Sequence, residues 1–195
     1  MLNSLTKVSA VVALSVLWQP LAAQETSEAE AVAPVPGGLD LGQPILGQVY
    51  LKENSGDWRV LCTKTNAAED PCHLSQTLSD AGGPVAEVNL YRLAEGSQAV
   101  AGAQLLAPLG TLLTTGVSFS VDGAPGKRYN FNHCEQGGCV AQIGLTDGDI
   151  AAFKQGTTAI VTLRPAEAPS QLVQVPMSLK GFTSGFDGLS PVVPN

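Results

Sequence analysis

Basic residues are scarce in this chain. Ten Lys and Arg stand against 17 Asp and Glu, a formal net charge of −7. A surplus of cations is what neutralises phosphates, so the balance excludes non-specific nucleic-acid binding. The small basic pair Lys127-Arg128, after the turn Asp122-Gly123-Ala124-Pro125-Gly126, does not reverse it. Histidine is almost absent, with His73 and His133 alone, which leaves little for general acid–base work. Gly-x-Ser-x-Gly and His-Glu-x-x-His are missing, and the one Ser-x-x-Lys, Ser4 to Lys7, lies in a leader. Asp122, Asp147, Asp149 and Asp187 follow no calcium-loop pattern and read as turn and cap residues. No apolar run approaches the ~20 residues of a spanning helix. No internal repeat is found, and no cofactor or metal is implied.

What is present begins with an export signal over residues 1–23. The amino terminus and Lys7 supply positive charge, Val8 to Leu17 is apolar, Pro20 breaks the helix, and Leu21-Ala22-Ala23 offers a small residue for cleavage. Loss of that leader removes Lys7 and no acid, so the mature chain is one charge more negative. Residues 24–43 form an acidic, Pro- and Gly-containing spacer that buries too little apolar surface to offset its ordering entropy. Residues 44–195 are expected to form a single domain. An exported chain of this kind belongs in the periplasm or at the outer envelope.

The domain reads as mainly all-β. Trp58-Arg59-Val60-Leu61-Cys62 places Trp58, Val60 and Cys62 on one strand face, which makes Trp58 a core residue. Further strands are expected over 85–93, 99–107, 109–114, 117–121, 140–145, 158–163 and 172–179. Arg128 to Phe131 leads into Cys134. Asp147 is expected to cap a short helix that stops at Gly156, and Phe182 to Leu189 a turn or two with Phe182, Phe186 and Leu189 on one face. Short strands separated by Gly and Pro indicate a β-sandwich or barrel-like domain with one or two short helices.

The four cysteines, Cys62, Cys72, Cys134 and Cys139, follow an export signal, where thiols oxidise. Four cysteines allow three connectivities. The Gly137-Gly138 step lets the chain turn back sharply between Cys134 and Cys139 and favours two local disulfides, Cys62–Cys72 and Cys134–Cys139, each worth ~2–3 kcal/mol. Their spacing fits no strong zinc template. His73 beside Cys72 and His133 beside Cys134 suggest a Cys–His pair, yet strand neighbours point to opposite faces. A thiol-redox role for Cys134 and Cys139 is the rival reading, although it would favour Cys-x-x-Cys. The Cys62–Cys72 loop and the Asp122 to Lys127 turn are the expected contact sites, since frameworks carry binding residues on loops.

An ordered set of segments carries a resemblance. Trp58 to Cys62 comes first, with a second cysteine ten residues on; Pro108-Leu109-Gly110 and Gly116 to Gly123 follow. Phe131-Asn132-His133-Cys134 with Gly138-Cys139, then Ser178-Leu179-Lys180-Gly181-Phe182-Thr183, complete it. Together they resemble the invasion-associated locus B family of secreted bacterial proteins over about Gly47 to Leu189. The resemblance implies an exported protein of a Gram-negative bacterium, a family whose founding members are associated with host-cell invasion, and no catalytic residue to carry over. The function expected is that of a non-enzymatic envelope or binding protein with a protein partner in the envelope or on a host surface.

Overall fold

The computed structural model describes residues 42–96 and 98–192. The leader and nearly all of the spacer lie outside the described residues. The unit Gln43–Asn195 holds two antiparallel sheets around one core.

The larger sheet has seven strands: β1 (Val49–Ser55), β2 (Trp58–Thr63), β3 (Cys72–Asp80), β4 (Gly83–Arg92), β5 (Ala101–Ala107), β8 (His133–Glu135) and β9 (Gly138–Leu145), in the order β1-β2-β3-β4-β5-β9-β8. The smaller has four: β6 (Val117–Val121), β7 (Lys127–Tyr129), β10 (Thr158–Leu163) and β11 (Val173–Ser178), in the order β11-β10-β6-β7. Strict alternation in β2 and β5 sends Trp58, Val60, Cys62, Ala101, Ala103 and Leu105 inward. Val117, Phe119, Val161, Val175 and Met177 meet them from the smaller sheet. At the exposed edge, β1 carries Lys52 and Glu53 and a register shift between Leu51 and Glu53, features that discourage edge-to-edge pairing.

One helix departs from the expected cap. α1 (Asp147–Gln155) is capped by Thr146, whose hydroxyl accepts from the Asp149 N–H while the Asp149 carboxylate accepts from the Thr146 N–H. This reciprocal pair satisfies two orphan donors, which Asp147 alone could not do. α2 (Phe182–Asp187) follows Gly181, and Phe182, Phe186 and Leu189 are buried as expected. Phe182 meets Trp58 edge-on at 5.6 Å and Phe153 of α1 at 5.5 Å, and stacks on Phe186 at 5.5 Å.

The expected strand over 109–114 is instead a turn that leads into a 3-10 turn at Leu113–Thr115. Gly110 takes φ +89° and the Thr111 N–H and hydroxyl both donate to the Pro108 carbonyl, so the chain reverses before a ladder can form. Leu109 and Leu113 have no face to bury and stay exposed.

A buried polar joint ties the sheets together, and no strand's own pattern announces it. The Gln76 side chain on β3 accepts from the Ser178 N–H at 2.8 Å and donates to the Ser178 carbonyl at 3.0 Å. The Trp58 indole N–H donates to the same carbonyl at 2.9 Å. Gln76 thus behaves as an extra peptide unit across the gap between sheets, and its burial is tolerated because both amide atoms are satisfied.

Candidate functional site

Alternation that fills the core also dictates what stands on the outer face of the larger sheet. Where β2 points Trp58 and Val60 inward, Arg59 and Leu61 must point out. The cross-strand register then assembles two rows. One is polar throughout: Asn54, Arg59, Ser75, Asn89, Gln104 and Gln142, one from each of six strands. At the usual strand spacing it runs about 24 Å. The neighbouring row is Leu51, Leu61, His73, Tyr91, Gly102 and Gly144. Large side chains occupy one end of that row and glycines the other. Beyond Tyr91 the surface therefore drops into a shallow trough of about 510 Å³, walled by Tyr91 and Leu93 and bordered by Gln104 and Gln142.

The polar row is internally organised. The Arg59 guanidinium donates to the hydroxyls of Ser75 at 3.2 Å and Thr77 at 3.3 Å. Asn89 donates its amide N–H to Glu87 at 2.9 Å, which fixes the amide's orientation, and its buried Oδ1 has no hydrogen-bond partner in the structure. His73 lies against the Tyr91 ring at 4.9 Å. Burial pushes His73 below the usual imidazole range, with Glu87 opposing and Arg59 assisting. Burial, then Glu87, pushes the Tyr91 phenol up. Both rings are thus held in their neutral forms.

The cysteines form the two expected bridges, Cys62–Cys72 and Cys134–Cys139, each joining residues in direct cross-strand register. Cys62, Cys72 and Cys139 are buried, whereas Cys134 is exposed on β8. His73 lies on the outer face, away from inward-facing Cys72, and His133 stands exposed on β8. The structure does not bring the two histidines into one constellation with a free thiol, because every cysteine is bridged. The carboxylates singled out in the sequence serve locally. Asp122, at φ +46°, accepts from the Thr157 and Thr158 N–H groups, which lower its carboxyl from the usual range. Asp149 pairs with Lys127 at 2.7 Å, and Asp187 with Lys154 at 2.6 Å.

The Cys62–Cys72 loop is organised by Asp70. Its carboxylate accepts from the Thr65 N–H at 2.7 Å and hydroxyl at 3.1 Å, the Tyr50 hydroxyl at 2.9 Å and Lys64 at 3.2 Å. The Thr65 N–H first, then the side-chain donors, hold the carboxyl at about 2 against an ordinary 3.8. A carboxyl depressed in the folded state contributes its stabilisation above the unfolded value and loses it as pH falls through the folded one. Acidification from about pH 4 to about pH 2 is therefore expected to release this loop. Amide exchange at Thr65 should accelerate across that window in the wild type, and Asp70→Asn should flatten the dependence. Equal pH profiles for the two proteins would refute the assignment.

Sequence reading missed the outer-face rows, because cross-strand register is set by the partner strands. A local signal did exist. Gln104 is the one polar side chain in Ala101–Ala107, and Gln142 the one in Gly138–Leu145 outside the disulfide. A lone amide at an outward position of an otherwise apolar strand is the kind of residue a surface-facing row would require.

Comparison with known proteins accounts for the architecture. The profile of the family described as Invasion associated locus B (IalB) protein matches residues 58–190. Invasion protein B homologs of Brucella abortus strain 2308 and of Brucella abortus biovar 1 strain 9-941 are each 34% identical over 157 residues, covering 80% of this chain and 83% of the relative. The crystal structure of invasion associated protein b from Bartonella henselae shares the fold, with a TM-score of 0.58 at 21% identity over 70% of this chain and 93% of that one. Profile, relatives and fold agree with the ordered segments from Trp58 to Thr183, and the chain belongs to the invasion-associated locus B family.

Proposed function

We propose that this chain is an exported, non-enzymatic binding protein of the cell envelope that supports an invasion-associated role through the outer face of its larger sheet. The observation that carries the reading is the polar row from Asn54 to Gln142, presented by a sheet with a disulfide near each edge. Within that row Arg59 and Asn89 are already oriented by hydrogen bonds to their neighbours, which lowers the ordering cost of a contact there. The names of the Brucella relatives support the invasion association. The leader over residues 1–23 would be removed on export, the spacer over 24–43 would separate the cleavage point from the domain at 44–195, and the protein would reside in the periplasm or at the outer envelope.

Substitution on this face in the native organism tests the reading. Gln104→Ala with Gln142→Ala is expected to reproduce the envelope or host-contact defect of a deletion strain, while the purified variant keeps its melting temperature. The protein should show no hydrolase or thiol-oxidoreductase turnover. Robust turnover abolished by a single substitution at Cys134, Cys139, His73 or His133, in protein that remains folded, would overturn the proposal in favour of an enzyme.

A further inference from the structure

We infer that the polar row and the Tyr91 trough together bind an uncharged glycan chain. The inference rests on the reading of this face as a binding surface and specifies its ligand. Charge narrows the choice first. Arg59 is the row's one cation and is engaged by Ser75 and Thr77, while neighbouring Glu87 accepts from Asn89. The chain as a whole carries −7. Against a phosphate or an acidic polymer the row offers a single cation, whose field at His73 is opposed by that of Glu87, on a chain whose overall charge is repulsive to anions. Long cationic ligands find no cluster of free carboxylates on the row.

Hydrogen-bonding type narrows it next. Asn and Gln side chains each present donors and an acceptor, so Gln104 and Gln142, side by side on β5 and β9, match a ligand that offers both along its length. Hydroxyl groups do so. An apolar element completes the match. The Tyr91 face, backed by His73 and set beside the floor of Gly102 and Gly144, is a plate on which the C–H face of a sugar ring can lie. The trough's 510 Å³ falls within the size range of small-molecule sites, and the row extends the contact along a chain. Glycine at 102 and 144 is what keeps the floor low: a larger side chain at either position would rise into the trough.

The source of such a chain is either the bacterial wall or a host glycoprotein, and two probes separate them. Nitrogen-labelled mature protein, residues 24–195, is titrated with a β-linked N-acetylglucosamine tetramer, which shares its amino sugar and linkage with wall backbones, and with an α-linked mannose tetramer, as on host surfaces. An oligogalacturonate serves as the acidic control. Saturable shifts are expected in the side-chain amide signals of Gln104 and Gln142 with at least one uncharged tetramer, and none with the control. Tyr91→Ala, and separately Gln104→Ala with Gln142→Ala, should each weaken binding at least tenfold at unchanged melting temperature. Gly144→Leu, which fills the trough and leaves the amides in place, should do the same. Silence of those signals with both uncharged tetramers, or a response to the acidic control alone, overturns the glycan assignment. If the amide double variant still reproduces the deletion defect, the face remains a binding surface for another ligand; if it does not, the broader reading falls with it.

Discussion

Trp58→Ala is expected to cost about 3–5 kcal/mol in reversible unfolding with both disulfides intact. The indole is fully buried, abuts Phe182 edge-on at 5.6 Å, and belongs to the core cluster that both sheets share. Its removal opens a cavity where β2, β11 and α2 converge. Trp58→Phe separates packing from hydrogen bonding. It keeps a ring against Phe182 but deletes the N–H that donates to Ser178, a carbonyl that Gln76 continues to serve. The phenylalanine variant should therefore lose no more than about half as much as the alanine variant. A loss below about 0.5 kcal/mol for Trp58→Ala would remove Trp58 from the core.

Gly181→Ala should be comparably damaging, for a backbone reason. At φ +84° a β-carbon is already strained, and here it would also overlap the Ser55 carbonyl of the β1–β2 turn. Gly56 approaches from the other side, where a β-carbon would overlap the Lys180 carbonyl. The two backbone segments touch without side chains between them, joined by the Asp57 N–H to Lys180 carbonyl bond at 3.0 Å and by the Ser55 hydroxyl donating to the Gly181 carbonyl at 2.8 Å. An added methyl forces them apart and loosens the contact that seats α2. The expected cost exceeds about 3 kcal/mol. Gly123→Ala is the control: its φ is +79°, but open space surrounds the site, so only the left-handed conformation is penalised, at about 1–2 kcal/mol. Equal losses at the two positions would show that the close approach contributes nothing.

These two sites show how differently legible the chain was. Trp58 could be read directly, because a period of two is a property of the strand itself and Val60 and Cys62 share its face. The disulfides were legible for a similar reason: each lies within one hairpin, so sequence proximity and spatial proximity coincide. The same holds for Phe182 and Phe186, one helical turn apart. Gly181 was recognisable as part of a family segment but not as half of a contact with Gly56, since those residues meet only after both sheets have formed. The strand expected over 109–114 failed because its apolar pattern is real but Gly110 reverses the chain there. Asp147 lost the cap to Thr146 because a reciprocal bond with Asp149 outcompetes a single carboxylate.

By itself, then, the sequence determined the β class, the inward-facing residues of individual strands and the local bridges, all of which follow from short-range periodicity, composition and loop length. Only the tertiary structure decided the joint through Gln76 and the alignment of Asn54, Arg59, Ser75, Asn89, Gln104 and Gln142 into one row. The physical reason is register. A strand's own residues dictate which side chains point outward, but hydrogen bonding to its neighbours, summed across the sheet, dictates which of them stand side by side.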